Sequence, residues 1–342
     1  MTQPRIAVLG AGANGASIGA DLTEAGHDVI LIEQWPDHVE QMRSTGLRIL
    51  SPDGELQVQP RTMHLCEVAT LRTRFDVVLM LMKAYDSRWA AQLIEPHLAE
   101  DGLLVGLQNG MTVDAVSASV GIRRTMGAVI EVSSTMDEPG LVHRHTGVGE
   151  SWFAVGAPEG GPAGREEEIA SLLRTSGTVQ VVDDIVATKW MKLISNSTLL
   201  VTSALLGMPM LDALHTEGMR RIMLAAGQEA LAVGLALGHP VLPIFGLTAE
   251  EVTDESLVVE LMLDKLFAGF VKPGATTTVL QDWTKGRRSE ASDLNGHVGA
   301  EGARLGVPTP MNDTVIELAR QVERGELEPG LANLTRMMAA IA

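Results

Sequence analysis

The short apolar run Ile6 to Leu9 passes directly into Gly10, Ala11, Gly12, Ala13, Asn14 and Gly15, and a second apolar run, Val29 to Ile32, ends at Glu33. Only glycine turns a chain this sharply out of a strand, lets its backbone approach a pyrophosphate, and packs the next helix tightly on the strand. The stretch Ala16 to Ala25 has helical character and stops at a turn of Gly26 and His27. Strand, glycine turn, helix, strand and an acid about 20 residues on complete a dinucleotide-binding βαβ unit, which an isolated glycine motif would not. Phosphates would rest on the helix N-terminus, where free N–H groups and the dipole favour anions. Gly10, Gly12, Ala13, Asn14 and Gly15 are therefore candidate cofactor-binding residues. Glu33 can accept hydrogen bonds from both ribose hydroxyls and would repel a 2′-phosphate. Gln34, Trp35, Pro36 and Asp37 bring no arginine to receive one. The expected cofactor is NAD, with NADP disfavoured; an ordinary glycine-rich turn and a solvated strand-end acid are the plainer alternatives.

A chain of 342 residues suits two domains, each able to bury its own core. Its net charge of −17 opposes nucleic acid and anionic membranes, both of which attract basic surfaces. An acidic substrate would need locally clustered Lys or Arg. The single cysteine, Cys66, cannot form an internal disulfide and is expected to be a buried thiol. No stretch reaches the roughly 18 apolar residues of a spanning helix, and the first apolar run is too short for a secretory leader. The expected compartment is the cytoplasm.

The pattern predicts an α/β fold: an N-terminal Rossmann-type doubly wound sheet over residues 1–183, followed by an all-helical C-terminal domain over 184–342. Candidate strands are Ile6–Leu9, Val29–Ile32, Val77–Met82, Leu103–Leu107, Thr125–Val129, Gly140–His145, Ser151–Val155 and Val179–Val182. Gly46 to Val58, turning at Asp53 and Gly54, is expected as a hairpin added to that sheet. Ala187–Leu206, Asp212–Gly238, Glu255–Phe270, Thr276–Asn295, His297–Leu305 and Asn312–Arg324 carry helical periods. A ligand would meet the cofactor in the interdomain crevice, at the carboxyl ends of the strands.

Reduction of a ketone needs groups that hold the carbonyl in hydride-transfer geometry and an acid for the nascent alkoxide. Lys192 and Asn196 fall one turn apart on one helix face, with Ser203 further along. Polar groups along an otherwise apolar helix are costly to bury unless they meet a ligand or each other. Lys189, Lys285, Arg287 and Arg288 add positive charge, although the two arginines fit solvated helix charges equally well. His143 and His145 share a strand face but lack a third ligand, so no metal is expected.

The glycine motif, then Met82, Lys83 and Ala84, then Gln108, Asn109, Gly110 and Met111, then Lys192 to Asn196, Gln281 with Asp282, Arg287 to Glu290, and Asn295 with Gly296, resemble ketopantoate reductase (2-dehydropantoate 2-reductase) over nearly the whole chain. The resemblance implies a Rossmann domain, a helical domain and a small anionic or polyhydroxy substrate. It gives Lys192 the part of catalytic proton donor and Asn196 that of orienting substrate polar groups. By the same resemblance, Lys83 lies near the cofactor and reacting centre, and Asn109 aligns nicotinamide and substrate. Glu290 grips a substrate hydroxyl, and Thr278 stands where the family commonly has a serine for the carboxylate. A homodimer is the expected assembly. Two positions depart from the pattern: Leu200 replaces a second asparagine one turn beyond Asn196, and Glu33 stands where many members place a basic residue and use NADP.

The sequence thus points to an NAD(H)-dependent oxidoreductase of a small 2-oxo or hydroxy acid or related secondary alcohol. The alternatives are an NADPH-dependent 2-dehydropantoate 2-reductase proper and a 3-hydroxy acid dehydrogenase. From outside enzymology, an NAD-sensing regulatory protein would need Gly10, Gly12 and Glu33 but not Lys192, Asn196 and Glu290 as well.

Overall fold

The computed structural model describes residues 3–244 and 246–341. The chain divides into two compact units, one up to Val186 and one from Ala187. The division falls in the first turn of the helix Ile185–Ala204, against an expected boundary after residue 183.

The first unit contains β1 (Arg5–Leu9), β2 (Asp28–Glu33), β3 (Leu47–Ser51), β4 (Gly54–Val58), β5 (Arg61–His64), β6 (Phe75–Met80), β7 (Leu98–Gly106), β8 (Thr125–Glu131), β9 (Ser134–Glu138), β10 (Leu141–Arg144), β11 (Trp152–Gly156) and β12 (Thr178–Val181). Its helices are α1 (Ala13–Glu24), α2 (Pro36–Thr45), α3 (Ser87–Ile94), α4 (Val113–Val120) and α5 (Glu166–Leu173). Eight strands form one sheet in the order β12-β11-β8-β7-β6-β1-β2-β5. From β5 to β8 all neighbours are parallel, and β11 joins antiparallel to β8. The period of two divides each strand between two cores. Ile6 and Val8 pack with Leu31, Leu79 and residues of α1, while Ala7 and Leu9 pack with Val78, Met80 and residues of α3 and α4. Both faces are covered, as the near-continuous apolar strands require.

The hairpin of β3 and β4 corrects the sequence reading. It does not extend the main sheet; with β10 and β9 it forms a separate four-stranded sheet in the order β4-β3-β10-β9. Leu47 and Ile49 bury into the core shared with Ala16, Ile18 and Ala20, so the hairpin is layered on α1 rather than bonded to a strand edge. The edge beside β2 is taken by β5, whose residues Arg61 to His64 show no apolar alternation. Arg144 on β10 pins this layer to α1: its Nη1 donates to Asp21 Oδ2 at 2.7 Å, with both side chains nearly enclosed. Burial pushes the Asp21 carboxyl above its ordinary range, and Arg144 opposes that rise. Cys66 is exposed, not buried, because it lies on a short helical turn beyond β5 with no apolar layer above it.

The second unit is helical: α6 (Ile185–Ala204), α7 (Met210–His215), α8 (Met219–Ala236), α9 (Glu255–Lys265), α10 (Thr278–Thr284), α11 (Asn295–Leu305), α12 (Pro310–Glu323) and α13 (Ala332–Ala339). The expected helix Asp212–Gly238 is two, broken at Gly218, whose φ of +87° no helix accommodates. The expected helix Thr276–Asn295 keeps only α10, and α13 had no sequence signal that stood out. Trp190 of α6 is fully enclosed and donates from Nε1 to the Ala230 carbonyl of α8 at 3.0 Å. Glu229 accepts the N–H groups of Met311 and Asn312 at 2.8 and 2.9 Å and so caps α12.

The turn from β1 into α1 is set by contact distances. Gly10 has φ +93°, and a Cβ on Gly15 would stand 2.0 Å from the Gly10 carbonyl oxygen. A Cβ on Gly12 would meet nothing within 4 Å. His38 of α2 braces the same turn: its Nε2–H donates to the Ala11 carbonyl at 3.1 Å, and its Nδ1 accepts the Gly140 N–H at 2.9 Å. Burial holds the His38 pKa below the ordinary histidine value.

Gly15→Ala should cost about 3 kcal/mol through overpacking, whereas Gly12→Ala at the helix cap should cost at most about 1 kcal/mol. Urea unfolding of both variants checks this. Because the folded pKa of His38 is depressed, the unfolded chain binds the extra proton first. Its contribution is therefore complete above pH 6.5 and is lost as pH falls toward the folded value. The stability difference between wild type and His38→Gln should shrink between pH 7.5 and 5.5, measured by urea midpoints.

Candidate functional site

Two groups of candidate side chains emerge, one within each unit. In the first, Gly10, Lys83 and Asn109 follow the carboxyl ends of the adjacent parallel strands β1, β6 and β7, and Glu33 ends β2 beside them. Parallel pairing places all four at one edge of the sheet, where the order reverses on either side of β1 and a crevice opens. The loops there are stitched together. Gly10 N–H donates to the Ile32 carbonyl at 2.9 Å, Leu81 N–H to Leu9 at 2.8 Å, and Leu107 N–H to Met80 at 3.0 Å.

Gly12 is the N-cap of α1, and Ala13 and Asn14 open its first turn, which carries no acidic residue. The positive end of the helix dipole is thus uncompensated by carboxylates of that turn. The open space beside Gly12 is the cradle a pyrophosphate needs. Asn14 Oδ1 is buried with no hydrogen bond among the described residues, a state that costs about 1–3 kcal/mol until an external donor meets it. These features fit a dinucleotide.

Glu33 is 7% exposed, and its Oε1 accepts the N–H groups of Gln34 at 2.8 Å and Trp35 at 3.0 Å. The backbone thereby fixes the direction of a negative charge at the end of β2. Gln108, buried just before Asn109, donates from Nε2 to the Met82 carbonyl at 2.9 Å and to Ser87 Oγ at 2.8 Å. It ties the loop carrying Asn109 to the loop carrying Lys83. The sequence reading passed over this bracing; a long amide at a strand end was the signal.

In the second unit, Lys192 and Asn196 lie on α6, Thr278 begins α10, and Glu290 follows α10. Helix α6 buries an unusual number of polar residues, among them Thr188, Lys189, Asn196, Ser197, Thr198, Thr202 and Ser203. Thr198 and Thr202 satisfy themselves on the carbonyls of Ile194 and Thr198 at 2.7 and 2.6 Å. Asn196 is 2% exposed and Lys192 is half-buried one turn before it. Thr277, not Thr278, caps α10, accepting the Leu280 N–H at 3.1 Å. The Thr278 hydroxyl is buried without a hydrogen bond among the described residues.

Lys189 was read only as a nearby positive charge. It is 3% exposed, and burial lowers its pKa to about 8, opposed by attraction to the Glu290 carboxylate, itself 5% exposed. Spacing of three residues from Lys192 was the available signal. Arg287 and Arg288 are exposed and line, with Trp283, Glu323 and Glu328, a separate cleft of about 690 Å³. His145 shares a 3.1 Å hydrogen bond with Thr135, and among the described residues no His, Cys, Asp and Glu cluster could hold a metal ion. Among them, too, no helix is long and apolar enough to cross a membrane.

The family model of ketopantoate reductase PanE/ApbA matches residues 6–158, and that of its C-terminal region matches residues 184–323. The 2-dehydropantoate 2-reductase of Mesorhizobium japonicum is 28% identical over 346 residues, covering 94% of this chain and 99% of its own. A PanE/ApbA family ketopantoate reductase from Ralstonia eutropha superposes with a TM-score of 0.80 at 28% identity, over 94% of this chain and 99% of that one. D-mandelate dehydrogenase, solved with NADH and anilino(oxo)acetate, gives 0.81 at 21% identity with the same coverage, a likeness of fold. With both halves matched, the chain belongs to the ketopantoate reductase family of oxidoreductases.

Proposed function

We propose that this protein interconverts a small 2-oxo acid and its 2-hydroxy acid with NAD(H), using Lys192 as the proton donor in reduction and acceptor in oxidation. The observation that carries the reading is the half-buried Lys192 one turn before the enclosed Asn196 on α6. Polar groups on a packed helix are costly to bury unless other polar groups meet them, and a polar substrate is one such group. Backbone N–H groups at Gly12, Ala13 and Asn14 hold the pyrophosphate, and Glu33 accepts the ribose hydroxyls. When bound, the nicotinamide supplies or takes the hydride. Lys83 and Asn109, at neighbouring strand ends, set the ring and the carbonyl in line.

Lys192 holds a proton at Nζ and passes it to the carbonyl oxygen as negative charge grows there, so no free alkoxide has to form. Asn196 donates its amide N–H to the substrate, and the Thr278 hydroxyl gains a partner in the substrate carboxylate. Glu33 supports NAD over NADP because its charge is held in place by two N–H groups and a 2′-phosphate would face it directly.

Lys192→Ala should lower kcat by about 10²- to 10⁴-fold, the worth of a positioned general acid, while NADH still binds. Stopped-flow turnover with a panel of 2-oxo acids and NADH fluorescence titration separate the two effects; loss of NADH binding would mark Lys192 as structural. NADH should be preferred over NADPH in kcat/KM by at least about tenfold, equivalent to about 1.4 kcal/mol, and Glu33→Gln should narrow the ratio. A preference for NADPH in the wild type overturns the cofactor assignment.

A further inference from the structure

Arg287 and Arg288 have no part in the reaction above, and neither does the cleft of about 690 Å³ that they line in the helical unit. A space of that size can hold a small organic molecule. One wall is α10 with the loop after it, carrying Leu280, Trp283 and the two arginines; the other is the end of α12 and the segment beyond, carrying Val322, Glu323, Leu327 and Glu328. Both walls are held in place. Gly286 N–H donates to the Trp283 carbonyl at 3.0 Å and Arg287 N–H to the Asp282 carbonyl at 2.8 Å, which folds the loop back onto α10. Ser289 donates from its N–H and its hydroxyl to Glu323 Oε1 at 3.1 and 2.7 Å and so spans the two walls. Asn333 Nδ2 donates to the Leu205 and Glu328 carbonyls, both at 2.9 Å, and ties the far wall to the end of α6. The cleft is therefore pre-formed.

Three features of its lining lack a counterpart. The Trp283 Nε1–H is buried with no acceptor among the described residues, an unfavourable state for an indole donor, which normally finds a partner when enclosed. The exposed Arg287 guanidinium forms no ion pair among them either, whereas Glu323 already receives the two Ser289 donors and Glu328 stands in solvent. Leu280, Val322 and Leu327 are only half-buried, so the cleft leaves apolar surface uncovered between its walls. In a chain of net charge −17, whose field at large repels anions, an unpaired guanidinium beside an unpaired donor is a local exception.

We propose that this cleft is a binding site for a small organic anion, a carboxylate or phosphate monoester carried on an apolar body. Arg287 takes the oxyanion with its planar fork of donors, the Trp283 indole adds a hydrogen bond, and Leu280, Val322 and Leu327 cover the apolar part. The site lies wholly within the helical unit and needs no dinucleotide.

The test uses phenylacetate and phenyl phosphate as probes, phenylacetamide as the uncharged counterpart, and inorganic phosphate as a head without a body. The five tryptophans give five indole N–H resonances, and Trp283→Phe identifies the Trp283 signal by its loss. Either anion should move that signal downfield, as a donor gaining an acceptor does, and the tighter of the two names the head group the cleft was built for. Phenylacetamide and inorganic phosphate should bind at least about tenfold more weakly, and Arg287→Gln should weaken the anions by a similar factor in equilibrium dialysis. Trp283→Phe should weaken them about fivefold. A Trp283 resonance that neither anion moves overturns the proposal, and this measurement on the wild type decides alone should Arg287→Gln fail to fold. An affinity that a folded Arg287→Gln leaves unchanged also overturns it, because the anion then sits elsewhere on the chain. So does an Arg287→Gln variant whose sedimentation changes while neither anion binds, which would give the cleft to a second copy of this chain.

Discussion

The first unit depends on a close backbone approach between Gly15 of α1 and the Gly10 carbonyl, at a distance that a single methyl group would violate. That approach seats α1 against β1, and the helix buries Ala16, Ile18, Ala20 and Leu22 between two layers of sheet. The second sheet lays its apolar face on the same helix, so β3, β4, β9 and β10 stack on α1. The same contact leaves the N-terminus of α1 facing open space at Gly12. The packing of α1 and the open space at its N-terminus thus follow from one geometric fact.

The second unit is organised around a different problem, the burial of polar and charged groups. Two of the α6 hydroxyls, those of Thr198 and Thr202, return to backbone carbonyls one turn earlier, which removes their cost without any ligand. The Asn295 amide bridges the Ser197 carbonyl and Asn312, and Glu229 closes the start of α12. Burial lowers the Lys189 pKa, and the charge of Glu290 opposes that shift. Lys192 and Asn196 stand one turn apart on α6, the first half-buried and the second enclosed. A helix with this much buried polarity is specified by its partners more than by hydropathy.

Much of this was legible from spacing. The strands β1, β2, β6, β7 and β8 follow from apolar runs bounded by turns, and the glycine motif predicts both the turn and the helix after it. Lys192 and Asn196 fall together because four residues slightly exceed one helical turn. The reading failed where local pattern underdetermines pairing. Leu47 and Ile49 show that the hairpin buries one face but not which neighbour covers it. Cys66 illustrates the reverse, since a thiol is buried only if something packs above it. The break at Gly218 was hidden because apolar residues on both sides keep the same period.

The local signals were those whose cause lies within one turn or one strand: glycine sterics at Gly10 and Gly15, the alternation in β1, and the shared face of Lys192 and Asn196. Charge at Glu33 belongs with them, since its fixing donors are its two successors in the chain. The fold had to bring together what sequence keeps apart. His38 receives the N–H of Gly140 from 102 residues away, Arg144 finds Asp21 on α1, and burial by the surrounding helices lowers the Lys189 pKa against the opposing charge of Glu290. These depend on burial and on partners from other elements, and neither is written into the spacing of a short stretch of chain.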